Sequence, residues 1–371
     1  MGKRGGTMEK MVKESLVNSN FWLGKKVLVT GHTGFKGGWL SLWLSQLGAD
    51  VVGYSLAPNS NNCLFEKASV GQHIESVFGD ILDLTRLKSI FKQFQPEIVF
   101  HLAAQSLVHY SYQNPIETYK TNVIGTLNVL EAIRSTDSVR SAVMVTSDKC
   151  YENKEWVWGY RENDSMGGHD PYSSSKGCAE LLISSYRRSY FSSESITKHA
   201  ALASARAGNV IGGGDWAKNR LVPDFVRAIK AGEAASIRNP HAIRPWQHVL
   251  EPLSGYIALA DALYKQPEVF SEAWNFSSLP MNAKPVEWVV KALVECWGDG
   301  ATWRNENSET YLHEAEYLKL DCTKSYSKLG WEPKWTLSMA LEKTVEWYKC
   351  ADSGEDPFEL CDRQIKEYMK V

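Results

Sequence analysis

The sequence predicts an α/β protein: a Rossmann-like doubly wound parallel sheet with a smaller mixed α/β lobe on its C-terminal side. Three observations predict it. Lys25–Thr30 (K-K-V-L-V-T) is a short β-branched run that breaks at Gly31, and G-H-T-G-F-K-G then leads into the helical pattern W-L-S-L-W-L-S-Q-L-G. Short apolar runs continue to alternate with helical stretches, as parallel strands joined by crossover helices require. After about residue 208 that alternation stops, and helical segments mix with short strands to the end of the chain.

Each element has its own warrant. Gly48 stops the first helix, and Asp50–Tyr54 is a second strand that completes a βαβ unit. Ser76–Phe78 is a third strand running into Gly79-Asp80-Ile81, followed by a helix over Leu84–Phe94. Glu97–Leu102 (E-I-V-F-H-L) is a fourth strand ending at Ala103-Ala104, and a long helix covers about Pro115–Arg134. Ser141–Val145, the fifth strand, delivers Thr146, Ser147 and Asp148 at its carboxyl end. Asp170-Pro171 is an N-cap followed by a first helical position, so a helix opens there. A strand lies near Ala201–Arg206. Beyond it, Val222–Ala231, Glu287–Cys296 and Leu337–Tyr348 read as helices, Gly212–Trp216 as a loop and Gly330–Pro333 as a turn. Residues 1–20 read as a loose polar tail, 21–208 as a dinucleotide-binding domain, and 209–371 as mainly a substrate lobe. The boundary is soft, with the chain crossing back between lobes.

Composition excludes several classes. A formal net charge of −2 over 371 residues gives no global field for nucleic acid or an acidic membrane. Seven scattered cysteines, with no C-x-x-C pair, point to free thiols in a reducing compartment, not to disulfides or a metal site. No apolar run approaches the roughly 20 residues that cross a bilayer. The first residues hold Lys3, Arg4, Lys10 and Lys13 without a signal peptide's apolar core. A cytoplasmic protein is expected.

In a doubly wound sheet, ligands bind outside the carboxyl ends of the strands. Gly31, Asp80, Ala103, Ser147 and Gly208 all fall at such ends and are expected to line one crevice. Gly31, Gly34 and Gly37 sit where a strand meets a helix N-terminus, so backbone N–H groups and the helix dipole can cradle a pyrophosphate. The second strand ends as Gly53-Tyr54-Ser55-Leu56, with no acid for a ribose and no arginine for a 2′-phosphate. The missing cation favours NAD over NADP. Tyr172 and Lys176, four apart, share one helix face. A cation that close is expected to lower the tyrosine pKa and make the phenol a proton acceptor for an alcohol. Alone, a Tyr-x-x-x-Lys pair is more often an exposed amphipathic helix; the crevice gives it a purpose.

Taken in order, the glycine turn, Gly79-Asp80-Ile81, H-L-A-A-Q, T-S-D-K and P-Y-S-S-S-K resemble the extended short-chain dehydrogenase/reductase family, from about Gly24 to Tyr348. Within it, D-P-Y-S-S-S-K-G-C-A-E, A-G-N-V-I-G-G-G-D-W and R-P-W-Q-H-V-L-E-P are similar to the CDP-glucose 4,6-dehydratase branch. The resemblance implies NAD, held by Gly31, Thr33, Gly34, Phe35, Lys36 and Gly37, by Asp80 and Ile81 at the adenosine, and by Leu102, Ala103 and Ala104 beneath it. It makes Tyr172 the base and Lys176 its partner, reaching the nicotinamide ribose, and puts Ser147 where related dehydratases bind the sugar 4-hydroxyl through a threonine. The substrate implied is CDP-glucose, with Ser106, Asn209, Asn219, Arg238, Arg244 and Asn275 as candidate ligands; Arg244 suits the diphosphate because its fork pairs two oxygens. Trp216 and Trp246 are expected in the core. Near His313–Glu316, dTDP-sugar relatives tend to have an arginine that is missing here.

The informative departure is Asp148-Lys149, where epimerases carry small residues and dTDP-glucose dehydratases carry Asp-Glu. The implied reaction is C4 oxidation, elimination of water across C5 and C6, and hydride return to C6, giving CDP-4-keto-6-deoxyglucose for deoxysugar and surface-polysaccharide (O-antigen) synthesis. Acid and base come from Asp148 and Lys149. Position favours Lys149 as base; aspartate as base and ammonium as acid needs smaller pKa shifts, and residue type alone leaves both orders open. A 4-epimerase would use Tyr172, Lys176 and NAD without needing Asp148 or Lys149; another sugar-nucleotide 4,6-dehydratase would keep them. A non-catalytic NAD-binding scaffold would have no use for the tyrosine and lysine. The family also implies a homodimer or homotetramer, through helices at about 115–134 and 172–192.

Overall fold

The computed structural model describes residues 16–58, 60–192, 200–306 and 317–371. Most of the predicted tail and the His313–Glu316 segment lie outside these residues. Six strands arise in chain order: β1 Lys26–Thr30, β2 Asp50–Ser55, β3 Glu75–Phe78, β4 Ile98–His101, β5 Ser141–Val145 and β6 Ala201–Ala207. With a seventh, Ala273–Phe276, they form one sheet in the order seventh–β6–β5–β4–β1–β2–β3. Every pairing in it is parallel. The order reverses between β1 and β4, where Thr30 stands opposite His101, and a crevice opens at such a reversal.

Local sequence explains the elements that matter for this crevice. The Phe35–Gln46 helix starts from Gly34 without a side-chain cap, which leaves its first N–H groups bare. Gly37–Leu44 are all buried, so it is an interior helix. The C-terminal Pro357–Lys370 helix lies against it, with Tyr368 edge-on to Trp43 at 5.7 Å. The Pro171–Ser189 helix opens as predicted: Asp170 accepts the Ser173 N–H at 2.9 Å and Pro171 takes the first position. The predicted 115–134 helix is continuous but contains a π turn at Lys120–Ile124.

The chain beyond residue 208 does two things. Short strand pairs (Val210–Ile211 with Gln247–His248, Ala235–Ile237 with Trp303–Asn305, Ile243–Pro245 with Ala283–Pro285) and the Leu221–Lys230 and Val286–Trp297 helices build the mixed lobe. The Leu250–Lys265 helix and the seventh strand return to the sheet, where Ala273 pairs with Ser204. That helix is almost wholly buried, and alanine-rich β6 gives it a flat surface to pack on.

One close approach sits beside the glycine turn. A Cβ on Gly53 of β2 would lie 2.2 Å from the His32 ring, which is buried and bonded to the Ser76 hydroxyl at 2.6 Å. Burial holds the His32 pKa down at about 4, so the ring is neutral at physiological pH. Gly53→Ala is therefore expected to cost about 2 kcal/mol, an overpacking penalty. In a His32→Ala background the same change is expected to cost less than about 0.5 kcal/mol. Urea unfolding of the four proteins in this cycle checks the coupling.

Candidate active site

Gly31, Asp80, Ala103, Ser147 and Gly208 line one cavity of about 920 Å³ at the carboxyl edge of the sheet, between the sheet and the mixed lobe. Thr33, Gly34, Phe35, Lys36, Ile81, Leu102, Ala104, Ser106, Asp148, Lys149, Tyr172, Lys176, Asn209, Asn219, Arg238 and Arg244 line it as well.

At one end the cavity fits a dinucleotide. A Cβ on Gly31 (φ +81°) would lie 2.7 Å from the Ala103 nitrogen, and one on Gly37 would lie 2.1 Å from the Gly31 carbonyl oxygen. Strand end, turn and helix therefore meet backbone to backbone. The uncapped helix start faces the cavity, with Lys36 beside it, as a diphosphate site would require. Gly37 does not line the cavity; it permits the close helix contact. At the end of β2, Thr33 bonds to the Ser55 hydroxyl at 2.8 Å and the Leu56 carbonyl at 3.0 Å, and among the described residues no cation lines the cavity there for a 2′-phosphate.

The residues expected to carry the chemistry lie in the middle. Tyr172 and Lys176 project from the Pro171–Ser189 helix into the cavity, and Ser147, Asp148 and Lys149 follow the end of β5 as a one-turn 3₁₀ segment. The Ser147 oxygen accepts the Lys149 N–H at 3.2 Å, its hydroxyl donates to Asp148 at 2.9 Å, and it also bonds the Tyr172 phenol. The second Asp148 carboxyl oxygen is buried with no hydrogen-bond partner. A buried oxygen left unmatched in the protein is a place for a ligand hydroxyl.

The electrostatics correct one expectation. Tyr172 is not lowered: burial pushes the phenol up to about 12, with the Asp148 charge adding to the rise and the Ser147 hydrogen bond and Arg220 opposing it. Burial also pulls Lys176 down to about 8 against the pull of Glu180, and Lys36 to about 8, helped by Arg220 and Lys176. For Tyr172, desolvation outweighs the Ser147 hydrogen bond and the Arg220 charge because full burial removes more hydration than those partners restore.

At the far end, Arg244 is buried in the wall, with one guanidinium N–H on the Ile243 carbonyl at 2.9 Å. Arg238 meets the His109 ring at 2.9 Å, and Asn219 sits in the left-handed region at φ +61°. Asn275 is a correction. It is fully buried on the seventh strand outside the cavity, accepting the Tyr151 hydroxyl at 2.8 Å and donating to the Tyr160 and Asp321 carbonyls at 2.8 and 3.1 Å. Those bonds use up its amide, so its role is structural. Trp246 is buried as expected and also forms cavity wall, whereas Trp216 is half-buried against Tyr348.

Sequence reasoning missed Arg220, which bonds Asp215 at 2.9 Å and the Ser106 hydroxyl at 3.0 Å across the cavity mouth. An acid and an arginine five residues apart in a loop were the available signal, and loop conformation, not spacing, makes them a pair. Glu180 and Arg206, a buried ion pair at 2.7 Å behind the catalytic face, were missed too.

A parallel sheet with this reversal, a glycine turn at its first strand and a Tyr172–Lys176 pair facing it define an extended short-chain dehydrogenase/reductase. More narrowly, the chain belongs to the family whose model, described as GDP-mannose 4,6 dehydratase, matches residues 28–344. It is 53% identical to a CDP-glucose 4,6-dehydratase of Salmonella typhimurium, over 96% of this chain and 99% of that one. Among solved structures it resembles an epimerase of Methanothermobacter thermautotrophicus (TM-score 0.77, 25% identity, covering 94% of this chain and 98% of that one). It also resembles a Bacillus anthracis dTDP-glucose 4,6-dehydratase in complex with NAD (TM-score 0.72, 21% identity, 90% and 100%).

The depressed Lys176 pKa has a stability consequence. Its folded value, about 8, lies below the unfolded 10.5, so the buried ammonium destabilises the fold fully below pH 8 and progressively less up to pH 10.5. Lys176→Met is expected to melt about 2–4 °C above the parent at pH 7, with the gain vanishing as pH rises through that window. Scanning calorimetry across pH checks it.

Proposed function

We propose that this chain converts CDP-glucose to CDP-4-keto-6-deoxyglucose and water, as an NAD-dependent hydro-lyase. One observation carries the choice of dehydration over epimerisation: the unpartnered, buried carboxyl oxygen of Asp148, one hydroxyl away from Tyr172 in the same cavity. An epimerase leaves that acid idle, and a scaffold leaves the whole constellation idle. The 53% relative supports the CDP-glucose substrate.

Ser147 holds the sugar 4-hydroxyl and Tyr172 takes its proton; burial opposes the phenolate this needs, and the Lys176 ammonium together with the nicotinamide cation of bound NAD would favour it. Gly31, Thr33, Gly34, Phe35 and Lys36 would hold NAD along the glycine turn, where it would supply the hydride acceptor for oxidation at C4 and the hydride donor for reduction at C6. A ketone at C4 acidifies the C5 proton, which Lys149 removes, while Asp148 protonates the C6 hydroxyl so that it departs as water. Lys149 then gives its proton back to C5. Ser147, bonded to both Tyr172 and Asp148, offers a path for the proton held on the phenol to restore the acid. Arg244, Arg238 and Asn219, with Arg220 at the mouth, are the proposed contacts to the nucleotide diphosphate end.

A homodimer is proposed through the 115–134 and 171–189 helices, on which Ile116, Ile124 and Leu181 are exposed apolar residues. A cytoplasmic location is proposed from the seven free cysteines. No helix among the described residues is long and apolar enough to cross a membrane.

Incubation with CDP-glucose is expected to give a 4-keto sugar, read by its alkali-developed near-ultraviolet absorbance, whereas dTDP- and GDP-glucose give little. Tyr172→Phe is expected to lower kcat by about 10³-fold. The Lys149 assignment rests on exchange of the C5 hydrogen with solvent. It should stop in Lys149→Met and continue in Asp148→Asn, and the opposite pattern reverses the two roles.

A further inference from the structure

We infer that the buried Glu180–Arg206 pair is a positioning clamp that sets the elimination residues Ser147–Lys149 against the redox pair Tyr172–Lys176. The inference rests on the dehydratase reading above and names residues that reading does not use. Glu180 lies on the Pro171–Ser189 helix, one turn beyond Lys176 and away from the cavity lining. Its carboxylate is 4% exposed, and every bond it accepts comes from the sheet: the Thr146 hydroxyl at 2.5 Å, the Ser204 hydroxyl at 2.8 Å and Arg206 at 2.7 Å. Thr146 is the residue immediately before Ser147. The other arm of Arg206 donates to the Tyr151 hydroxyl at 2.6 Å and the Glu162 carbonyl at 3.0 Å, and Tyr151 follows the 148–150 turn directly. The Ser147–Lys149 segment is therefore held at both ends by one ion pair, whose acidic member belongs to the helix that carries Tyr172 and Lys176.

Burial alone would raise the Glu180 pKa, yet the Arg206 charge and the three donors hold it below the ordinary carboxylate range. The pair is thus ionised in the interior, and a buried ion pair is weak evidence for stability but strong evidence for a fixed geometry. A shift of about 1 Å between reacting groups can cost about 10²-fold in rate. Glu180 has a second effect through Lys176, since it is the carboxylate whose charge favours that ammonium. The other titratable groups facing Lys176 are Cys150 from the 148–150 turn, Lys36 from the glycine-turn helix and His101 from β4, with Tyr172 on its own helix. None of them replaces the negative charge of Glu180 at neutral pH.

The test uses the full chain with NAD and CDP-glucose. Glu180→Gln is expected to move the alkaline limb of the kcat profile to lower pH by about one unit. It is also expected to slow solvent deuterium incorporation at C5 by about tenfold or more, with KM for CDP-glucose within about threefold of the parent. Glu180→Asp, which keeps the charge but shortens the reach, should restore the pH limb and leave deuterium incorporation slow. Because Glu180→Gln strands the Arg206 charge and can unfold the protein, Glu180→Gln/Arg206→Met is the control: it should melt close to the parent while keeping both defects. An unmoved limb with parent-like incorporation overturns the clamp, as does recovery of both in the double variant. A parent protein that turns over no CDP-glucose overturns the dehydratase reading instead, so the two failures are told apart.

Discussion

Parallel pairing of the seven strands constrains everything else in this molecule. It sends all their carboxyl ends to one edge, and the reversal between β1 and β4 makes that edge a cleft and not a flat rim. Residues scattered from Gly31 to Gly208 meet there because each immediately follows a strand. The helices that cover the sheet then take on a second task. The Phe35–Gln46 helix points its bare N-terminus into the cleft, and the Pro171–Ser189 helix runs past it with Tyr172 and Lys176 aimed inward.

The same geometry concentrates charge where water is scarce. Lys36, Lys149, Lys176, Arg220, Arg238 and Arg244 all line one cavity, with Asp80, Glu117, Asp148, Asp215 and Asp224 as its acids. Lys36 and Lys176 are both held near a pKa of 8 by burial, so the protein carries cations it hydrates poorly. Two diphosphate-bearing molecules meeting in this space would bring the missing negative charge, and the interior would then favour both ammonium groups. Charge held where water is scarce is a common condition of catalysis, in which stability is given up at the reacting centre.

Much of this was legible in the sequence, and what was not has a physical pattern. The sheet strands and the longer helices up to Ala207 follow from period and from Gly, Pro and Asp punctuation, because each is a local decision; the short Ser19–Trp22, Leu64–Lys67 and Val108–Gln113 helices do not. The cavity residues on that half follow too, since topology alone carries a strand end to the cleft. Asn275 misled because a polar residue after an apolar run looks the same whether it faces a ligand or three internal partners. Arg220–Asp215 and Glu180–Arg206 were hidden because a pair is a property of two segments folded together. The tyrosine pKa went the wrong way for a related reason: the four-residue spacing to Lys176 could be read, but the depth of burial that sets the phenol could not.

Trp43, on the first crossover helix, is covered by Tyr368 from the last helix of the chain. Synthesis therefore exposes that indole early and supplies its lid much later. A nascent chain would carry the cofactor-binding half with an uncovered apolar flank until the Pro357–Lys370 helix is made. Contacts of such long sequence separation close slowly. The vulnerable period of this protein thus lies in its making, and the C-terminal helix is the segment that ends it.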